Sequence, residues 1–456
     1  MKPLKIKEIA AAVGFDCCDE TLIERIETDS RTISEGSLFV ALRGEVFDGH
    51  KYVASALEKG AAYALVDKGD ANDSRLIFCK DTEQGFLDIA GAYRDQFDVK
   101  LVGITGSVGK TTTKEMIAAV LESKFKTLKN EGNLNNRVGM PKTLFNLNDE
   151  HECAVIEMGM NQFGEISDLT RRAKPDVAVI TNIGVQHIEF LGSREGILKA
   201  KMEIREGMKE GSPLILCGDD DLLGSFEDER FRIIRYGIDN KSCPITAEDV
   251  QESVGETTFT LCADGKKMPA RIPTFGRHNV LNALAAYAVG KEFGMEDKEI
   301  IAALNNYVPS GMRQRVVEFK GMTIVEDCYN CGPDSLKAAI SAFAIMPCEG
   351  RKIMVLGDML ELGDYANQLH AECGQWAAEK GVDHVFCCGE LSKHTYQGFL
   401  ENGGKSAVHH LERDDMGEQI LSEIKNKSIK AGDILWFKAS HGVHLEDIIK
   451  RIYEEC

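Results

Sequence analysis

The sequence predicts an α/β protein of three domains: a small α/β unit, a central unit on a mostly parallel sheet and a doubly wound C-terminal unit. Three observations predict it. The chain has 456 residues, enough for about three domains of ~150 residues each. Short apolar runs alternate with longer helical patterns, as parallel strands covered by helices require. Glycine-rich breaks fall at the ends of several of those runs. The expected units are a small N-terminal α/β domain at 1–97, a central domain at 98–309 and a C-terminal doubly wound domain at 310–456.

In the first unit, Ser37-Leu-Phe-Val-Ala-Leu42 and Ala62-Tyr-Ala-Leu-Val66 read as strands around a helical pattern near Tyr52 to Lys59. Gly44, Gly49 and Gly60 punctuate it. In the second, Leu101-Val-Gly-Ile104 is a buried strand. A glycine loop follows, then a helix from about Thr111 with Met116, Ile117, Val120 and Leu121 on one stripe. Ala154-Val-Ile-Glu-Met158, Val177-Ala-Val-Ile-Thr181 and Leu214-Ile-Leu-Cys217 are further strands, and His278 to Val289 is an alanine-rich helix. Pro309-Ser-Gly311 reads as a linker. The third unit alternates again through Thr323-Ile-Val325, Ile353-Met-Val-Leu356, His384-Val-Phe386 and Ile434-Leu-Trp-Phe437. That pattern is Rossmann-like.

Composition narrows the function classes. Hydrophobic residues make up 43% and charged residues 28%, an ordinary globular balance. No apolar run reaches the ~18 residues of a membrane helix. The stretch from Ile9 to Phe15 is too short for a signal peptide. The expectation is a cytoplasmic protein without a membrane span. A net charge of −19 argues against a nucleic-acid groove, but not against anionic ligands, because backbone amides build phosphate sites locally. Fourteen cysteines include the pairs Cys17-Cys18 and Cys387-Cys388 and one C-x-x-C, Cys328 to Cys331. No second pair stands at metal-site spacing, so reduced thiols are expected.

Gly103-Ile-Thr-Gly-Ser-Val-Gly-Lys-Thr111 is the sharpest local signal. A strand runs into glycines and a helix opens at Lys110. Amides of such a loop cradle phosphates, the lysine reaches the β/γ-phosphates and Thr111 offers a hydroxyl to Mg²⁺. The central unit is therefore read as a P-loop ATPase domain. Gly106, Ser107, Val108, Gly109, Lys110, Thr111 and Thr112 are its nucleotide-binding candidates. Glu157 ends an apolar strand, where an acid beside a phosphate loop holds Mg²⁺. His187 follows another strand end, and a neutral imidazole is a good ligand for a divalent metal. Asn133-Leu-Asn-Asn136 is an amide-rich loop. Lys199-Ala-Lys-Met-Glu203 reads, on composition alone, as a solvated helix face.

Together these pieces resemble the Mur ligases, the ATP-dependent amide ligases of peptidoglycan precursor synthesis. The resemblance covers nearly the whole chain. The loop matches the family's G-x-T-G-[ST]-x-G-K-[ST] form, which accounts for Ile104. Within the family, four stretches resemble the branch that joins D-Ala-D-Ala to UDP-N-acetylmuramoyl-tripeptide. They are Asp29-Ser-Arg31 with Phe39 to Gly44 and Asp48-Gly-His50; Gly132-Asn-Leu-Asn-Asn136 with Gly139-Met-Pro141; Glu157-Met-Gly159; and Leu356-Gly-Asp-Met-Leu-Glu-Leu-Gly363.

The resemblance implies roles. Ser30, Arg31, Gly44, Asp48 and His50 would hold the UDP-sugar, and Asn135 and Asn136 the substrate near the reacting centre. Asn279 and Asn282 would read adenine, Arg313 would reach the ATP phosphates and Asp327 the ribose. Tyr329, Asn330 and Ser440 would touch substrate. Lys110, Glu157, His187 and Lys201 would form the catalytic group. Thr111, Glu157, His187 and Lys201, the last carbamylated by CO₂, would hold two Mg²⁺ ions. The protein is expected to act as a monomer. The stretch from Lys438 to His444 helps form the dipeptide site in the family, and His441 and His444 stand where arginines are usual. Other readings are a Mur-type ligase with a different amine acceptor, a P-loop ATPase switch, and a silent precursor-binding protein.

Overall fold

The computed structural model describes residues 1–44, 47–253, 255–309 and 313–456. Ser310 and Gly311 of the expected linker, and Glu45 and Val46 of the loop from Gly44 to His50, lie outside them.

Near the N-terminus, four short parallel strands, Ile26–Glu27, Leu38–Val40, Tyr63–Val66 and Leu76–Phe78, pair in chain order. The helix Thr82–Arg94 starts on an Asp81 cap, whose carboxylate accepts from the Gln84 amide. Its buried face carries Phe86 and Tyr93 into Phe145 of the next unit, with ring centroids 5.6 and 5.5 Å away. The Tyr93 hydroxyl donates to the Leu147 carbonyl at 2.6 Å. One continuous apolar cluster therefore runs from Leu4 through Tyr307.

The central sheet has nine strands. Arg232–Gly237, Pro213–Cys217, Val177–Ile180, Lys100–Thr105, Cys153–Glu157 and Thr127–Lys129 lie side by side and parallel. Chain order reverses at Lys100–Thr105: the next two strands go to one side and Val177–Ile180 to the other. Such a switch opens a crevice at the carboxyl ends of the strands, where α/β sheets bind ligands. Three further strands, Ile245–Ser253, Glu256–Ala263 and Lys266–Ile272, extend the edge; the last two run as antiparallel neighbours. The pattern of apolar runs does not reveal them, because they are half-solvated and rich in threonine, lysine and glutamate.

The last sheet is built from Arg315–Phe319, Met322–Glu326, Ile434–Lys438, Lys352–Gly357, His384–Cys388 and Ser406–His410, in that spatial order. Only the first is antiparallel to its neighbour. Strand alternation sends Trp436 into one apolar cluster, with Phe343 and Met354, and Leu435 and Phe437 into another, with Phe386 and Ile449. Helices cover both faces, as expected of a doubly wound unit. Among the described residues no disulfide forms. Burial pushes the Cys331 thiol up to about 12, which leaves it inert. Among the described residues no helix is long and apolar enough to cross a membrane.

Candidate active site

The strand Lys100–Thr105 delivers the chain to a loop that the neighbouring strand clasps. Ser107 donates its amide to the Asn182 carbonyl at 3.1 Å, and Val108 donates its amide to Asn182 Oδ1 at 2.9 Å. Thr181 Oγ1 donates to the Val108 carbonyl at 2.6 Å. Gly106 has φ 149°, and a Cβ there would lie 1.9 Å from Thr181 Oγ1. Only glycine permits that approach. Gly109, with φ 83°, leads into the helix Lys110–Glu122. The helix start thus points free amides into the crevice.

A cavity of about 450 Å³ opens over this loop. Lys110 Nζ donates to the Gly106 and Ser107 carbonyls at 2.8 and 3.0 Å. Burial lowers its pKa; Glu157 and Glu361 oppose the shift and Arg313 adds to it. Thr111 Oγ1 donates to Glu157 Oε2 at 2.7 Å, and Asn135 Nδ2 donates to Glu157 Oε1 at 2.7 Å. Arg313 Nη2 reaches Thr111 Oγ1 at 3.0 Å, and its guanidinium lies 4.1 Å from the Tyr329 ring centroid. A residue of the last unit therefore touches the phosphate loop directly.

His187 and Lys201 complete the group around the loop. His187 holds φ 64°, an uncommon conformation for a non-glycine residue. Its Nδ1 lies 2.8 Å from Glu361 Oε2. Burial lowers the His187 pKa, with Glu361 opposing. Lys201 lines the same cavity with 2% of its surface exposed. It forms no ion pair with any described carboxylate. Burial, with the Lys110 ammonium nearby, drives its pKa well below the lysine norm. A buried ammonium without a counter-charge is too costly to persist. The site favours a neutral amine, reversing the solvated-face reading from composition.

These donors fit a hard divalent ion. Thr111 and Glu157 offer oxygens, His187 a ring nitrogen, and the amine of Lys201, unpaired with any described carboxylate, faces the same cavity. Thr111, Glu157, His187 and Lys201 would hold the metal.

On the far wall, Asn279 Nδ2 donates to the Phe275 carbonyl at 2.8 Å and to Gln314 Oε1 at 2.9 Å. Asn282 takes a hydrogen bond from Thr113 Oγ1 at 3.0 Å and packs against Gly109. Lys438 Nζ donates to Asp327 Oδ2 at 2.8 Å, and Trp436 Nε1 to the same oxygen at 3.3 Å. Burial alone would lower the Lys438 pKa, but Asp327 makes the net shift upward. Removing one partner of such a pair strands a buried charge. Lys438→Met is expected to cost about 3–5 kcal/mol in urea denaturation; a loss below about 1 kcal/mol would mean that Asp327 is stabilised without it.

Three family models match this chain. They are "Mur ligase family, catalytic domain" over 22–98, "Mur ligase middle domain" over 104–290 and "Mur ligase, glutamate ligase domain" over 312–441. The chain belongs to the Mur ligase family. This Mur ligase is 40% identical over 441 residues to the UDP-N-acetylmuramoyl-tripeptide–D-alanyl-D-alanine ligase of Bacillus subtilis, covering 96% of this chain and 94% of that one. It is 34% identical to the Escherichia coli protein of the same name, covering 81% and 82%. The fold superposes on a crystal structure of MurF from Acinetobacter baumannii with TM-score 0.92, 30% identity and full coverage of both chains. It superposes on MurF ligase from Thermotoga maritima in complex with ADP with TM-score 0.85 and 29% identity, covering 94% and 97%.

The Mur ligase cavity gathers most residues read from the sequence. Ser107 to Thr112, Asn135, Asn136, Glu157, His187, Lys201, Asn279, Asn282, Arg313, Asp327, Tyr329, Asn330 and Ser440 all line it. Gly106 lies just beneath. Ser30, Arg31, Gly44, Asp48 and His50 do not line it. Arg31 instead forms a two-pronged pair with Asp29, at 3.0 and 2.6 Å. Asp48 accepts from Lys68 Nζ at 2.9 Å and from the His50 amide at 3.0 Å. The Ser30 carbonyl accepts from Lys59 Nζ at 3.0 Å. Glu361 also lines the cavity, a position that its stretch Leu356–Gly363 does not reveal by itself. The same holds for His278, which faces Gln314 at 3.2 Å and whose pKa burial takes down to about 4.

Proposed function

We propose that this protein is an ADP-forming ligase that joins D-Ala-D-Ala to UDP-N-acetylmuramoyl-tripeptide. The observation that carries this reading is the single cavity in which the phosphate loop, Glu157, His187 and the unpaired Lys201 face Arg313 and Asp327. The names of its relatives supply the substrate class. A switch ATPase has no need of the amide-rich loop that binds Glu157 through Asn135.

In this reading 1–97 binds the UDP-sugar through Ser30, Arg31, Gly44, Asp48 and His50. Residues 98–309 bind ATP, and 310–456 complete the ATP and acceptor sites. The protein works in the cytoplasm as a monomer. The tripeptide's terminal carboxylate attacks the γ-phosphorus of ATP and ADP leaves. The dipeptide amine attacks the resulting acyl phosphate and inorganic phosphate departs. Phosphorylation is needed because a bare carboxylate would have to expel oxide. Lys110 and Arg313 place positive charge around the transferring group. Asn135 orients the Glu157 carboxylate, and Asn136 faces the same space. Two Mg²⁺ ions, held through Thr111, Glu157, His187 and a carbamate on Lys201, would neutralise phosphate charge. Asn279 and Asn282 shape the adenine wall, and Asp327 faces the ribose. Tyr329, Asn330 and Ser440 border the acceptor.

The test is phosphate release. Turnover is expected only when UDP-N-acetylmuramoyl-tripeptide and D-Ala-D-Ala are both present. Brisk ATP hydrolysis without either would favour a switch, and a better amino-acid acceptor from a panel would move the protein to another branch.

A further inference from the structure

Beyond Ile434–Lys438 the chain makes a tight turn at the cavity rim. His441–Val443 is a single 3₁₀ turn, His444 follows with φ 57°, and Glu446 opens the helix Glu446–Glu455. The left-handed residue folds the His444 ring back towards His441, with centroids 5.5 Å apart. One ligand atom from each of His441, His444 and Glu446 lies within 4.8 Å of the others. His444 Nδ1 is 3.1 Å and His441 Nδ1 3.9 Å from Glu446 Oε1. A tetrahedral ion with bonds of about 2.0–2.2 Å holds its donors about 3.3 Å apart. The two imidazole-to-carboxylate separations bracket that value, and the two imidazole donors lie within 4.8 Å of each other.

The imidazoles face Glu446 Oε1; the other oxygen of that carboxylate differs in its surroundings. Glu446 Oε2 is buried and has no hydrogen-bond partner. A carboxylate oxygen in that position normally has a donor. Among the described residues, Glu446 pairs with no lysine or arginine, only with the two imidazoles. The nearby Arg413 is committed to Asp414 and Asp447 and reaches only the backbone carbonyl of His444. Stacking on Tyr329, 5.5 Å away at 17°, fixes the His441 ring. Both imidazoles are about half exposed, so an ion can enter from solvent.

We propose that His441, His444 and Glu446 form a Zn²⁺-type metal site whose fourth position opens towards the ligase cavity. Two imidazoles and one carboxylate suit zinc far better than magnesium. Three protein ligands leave one position open, and His441 and Gly442 line the cavity. A carboxylate oxygen from a small ligand fits that position. In the ligase reading it is the carboxylate of the dipeptide acceptor. That last step rests on the proposed function; the metal site itself does not.

The experiment uses the full chain without a histidine tag, stripped with chelator and titrated with Zn²⁺ in millimolar Mg²⁺. One Zn²⁺ per chain is expected. His441→Gln, His444→Gln and Glu446→Gln should each weaken it by about 100-fold or more, with unchanged circular dichroism, while His187→Ala leaves it in place. Loss of Zn²⁺ only with His187→Ala, or no retention at one equivalent, overturns the site. Co²⁺ substitution gives a second readout: a tetrahedral absorption band that depends on His441 supports the site. A shift of that band on adding D-Ala-D-Ala supports the open position. A band unmoved by the dipeptide, in protein that still catalyses the ligation, removes the carboxylate role while leaving the metal site intact.

Discussion

Lys110→Ala is expected to lower kcat by on the order of 10³-fold while the fold survives. The ammonium sits at the mouth of the loop, bonded to the Gly106 and Ser107 carbonyls, from where it can swing onto a phosphate. Its charge matters most when negative charge is in transit between oxygens, so the loss belongs in kcat rather than in KM. The loop keeps its shape without it, because Thr181 and Asn182 hold the backbone. Single-turnover phosphate release on the variant, with circular dichroism as control, measures the effect. An unchanged kcat would put phosphate transfer elsewhere in the molecule.

Lys201→Ala should be nearly as damaging, by on the order of 10²–10³-fold, for a different reason. The side chain is buried beside Lys110 with no carboxylate to balance it, so it is held as a free amine. In the proposed reading the amine nitrogen would bond the carbon of CO₂ and release one N–H proton to solvent, giving an anionic oxygen ligand of the kind Mg²⁺ prefers. Acetate at high concentration should return part of the activity to the alanine variant by lending the missing oxygens. Lys201→Arg keeps a cation but cannot make the carbamate, and is expected to fail as well. Near-normal turnover by the arginine variant would end the carbamate idea.

Much of this site was legible in the sequence because its parts are local. The phosphate loop is contiguous, and Glu157 and His187 follow recognisable strand ends. Contacts across the chain were not. Glu361 lies within the marked stretch Leu356–Gly363, but its approach to His187, 174 positions away in the chain, follows only from how the last unit meets the central one. Lys438 and Asp327 pair because their strands are neighbours through parallel register, which apolar runs alone do not reveal. The unusual histidines at 441 and 444 were visible, but their convergence with Glu446 depends on one left-handed residue. The strands Ile245–Ser253, Glu256–Ala263 and Lys266–Ile272 are hidden for the opposite reason. They form genuine strands, but with one wet face, so no apolar run announced them.

The continuous apolar cluster from Leu4 to Tyr307 bears on how the molecule comes apart. The first two sheets share that cluster, so heat should melt them together. The last sheet owns separate clusters, with Phe275 the residue that crosses to it. Among the described residues it also meets the rest through polar contacts at the crevice, including Arg313 to Thr111, Gln314 to Asn279, Asp334 to the Val185 amide at 3.1 Å, and Glu361 beside His187. Such a junction couples weakly by itself. Nucleotide lodged in the crevice would bridge both sides and join two melting units into one cooperative transition.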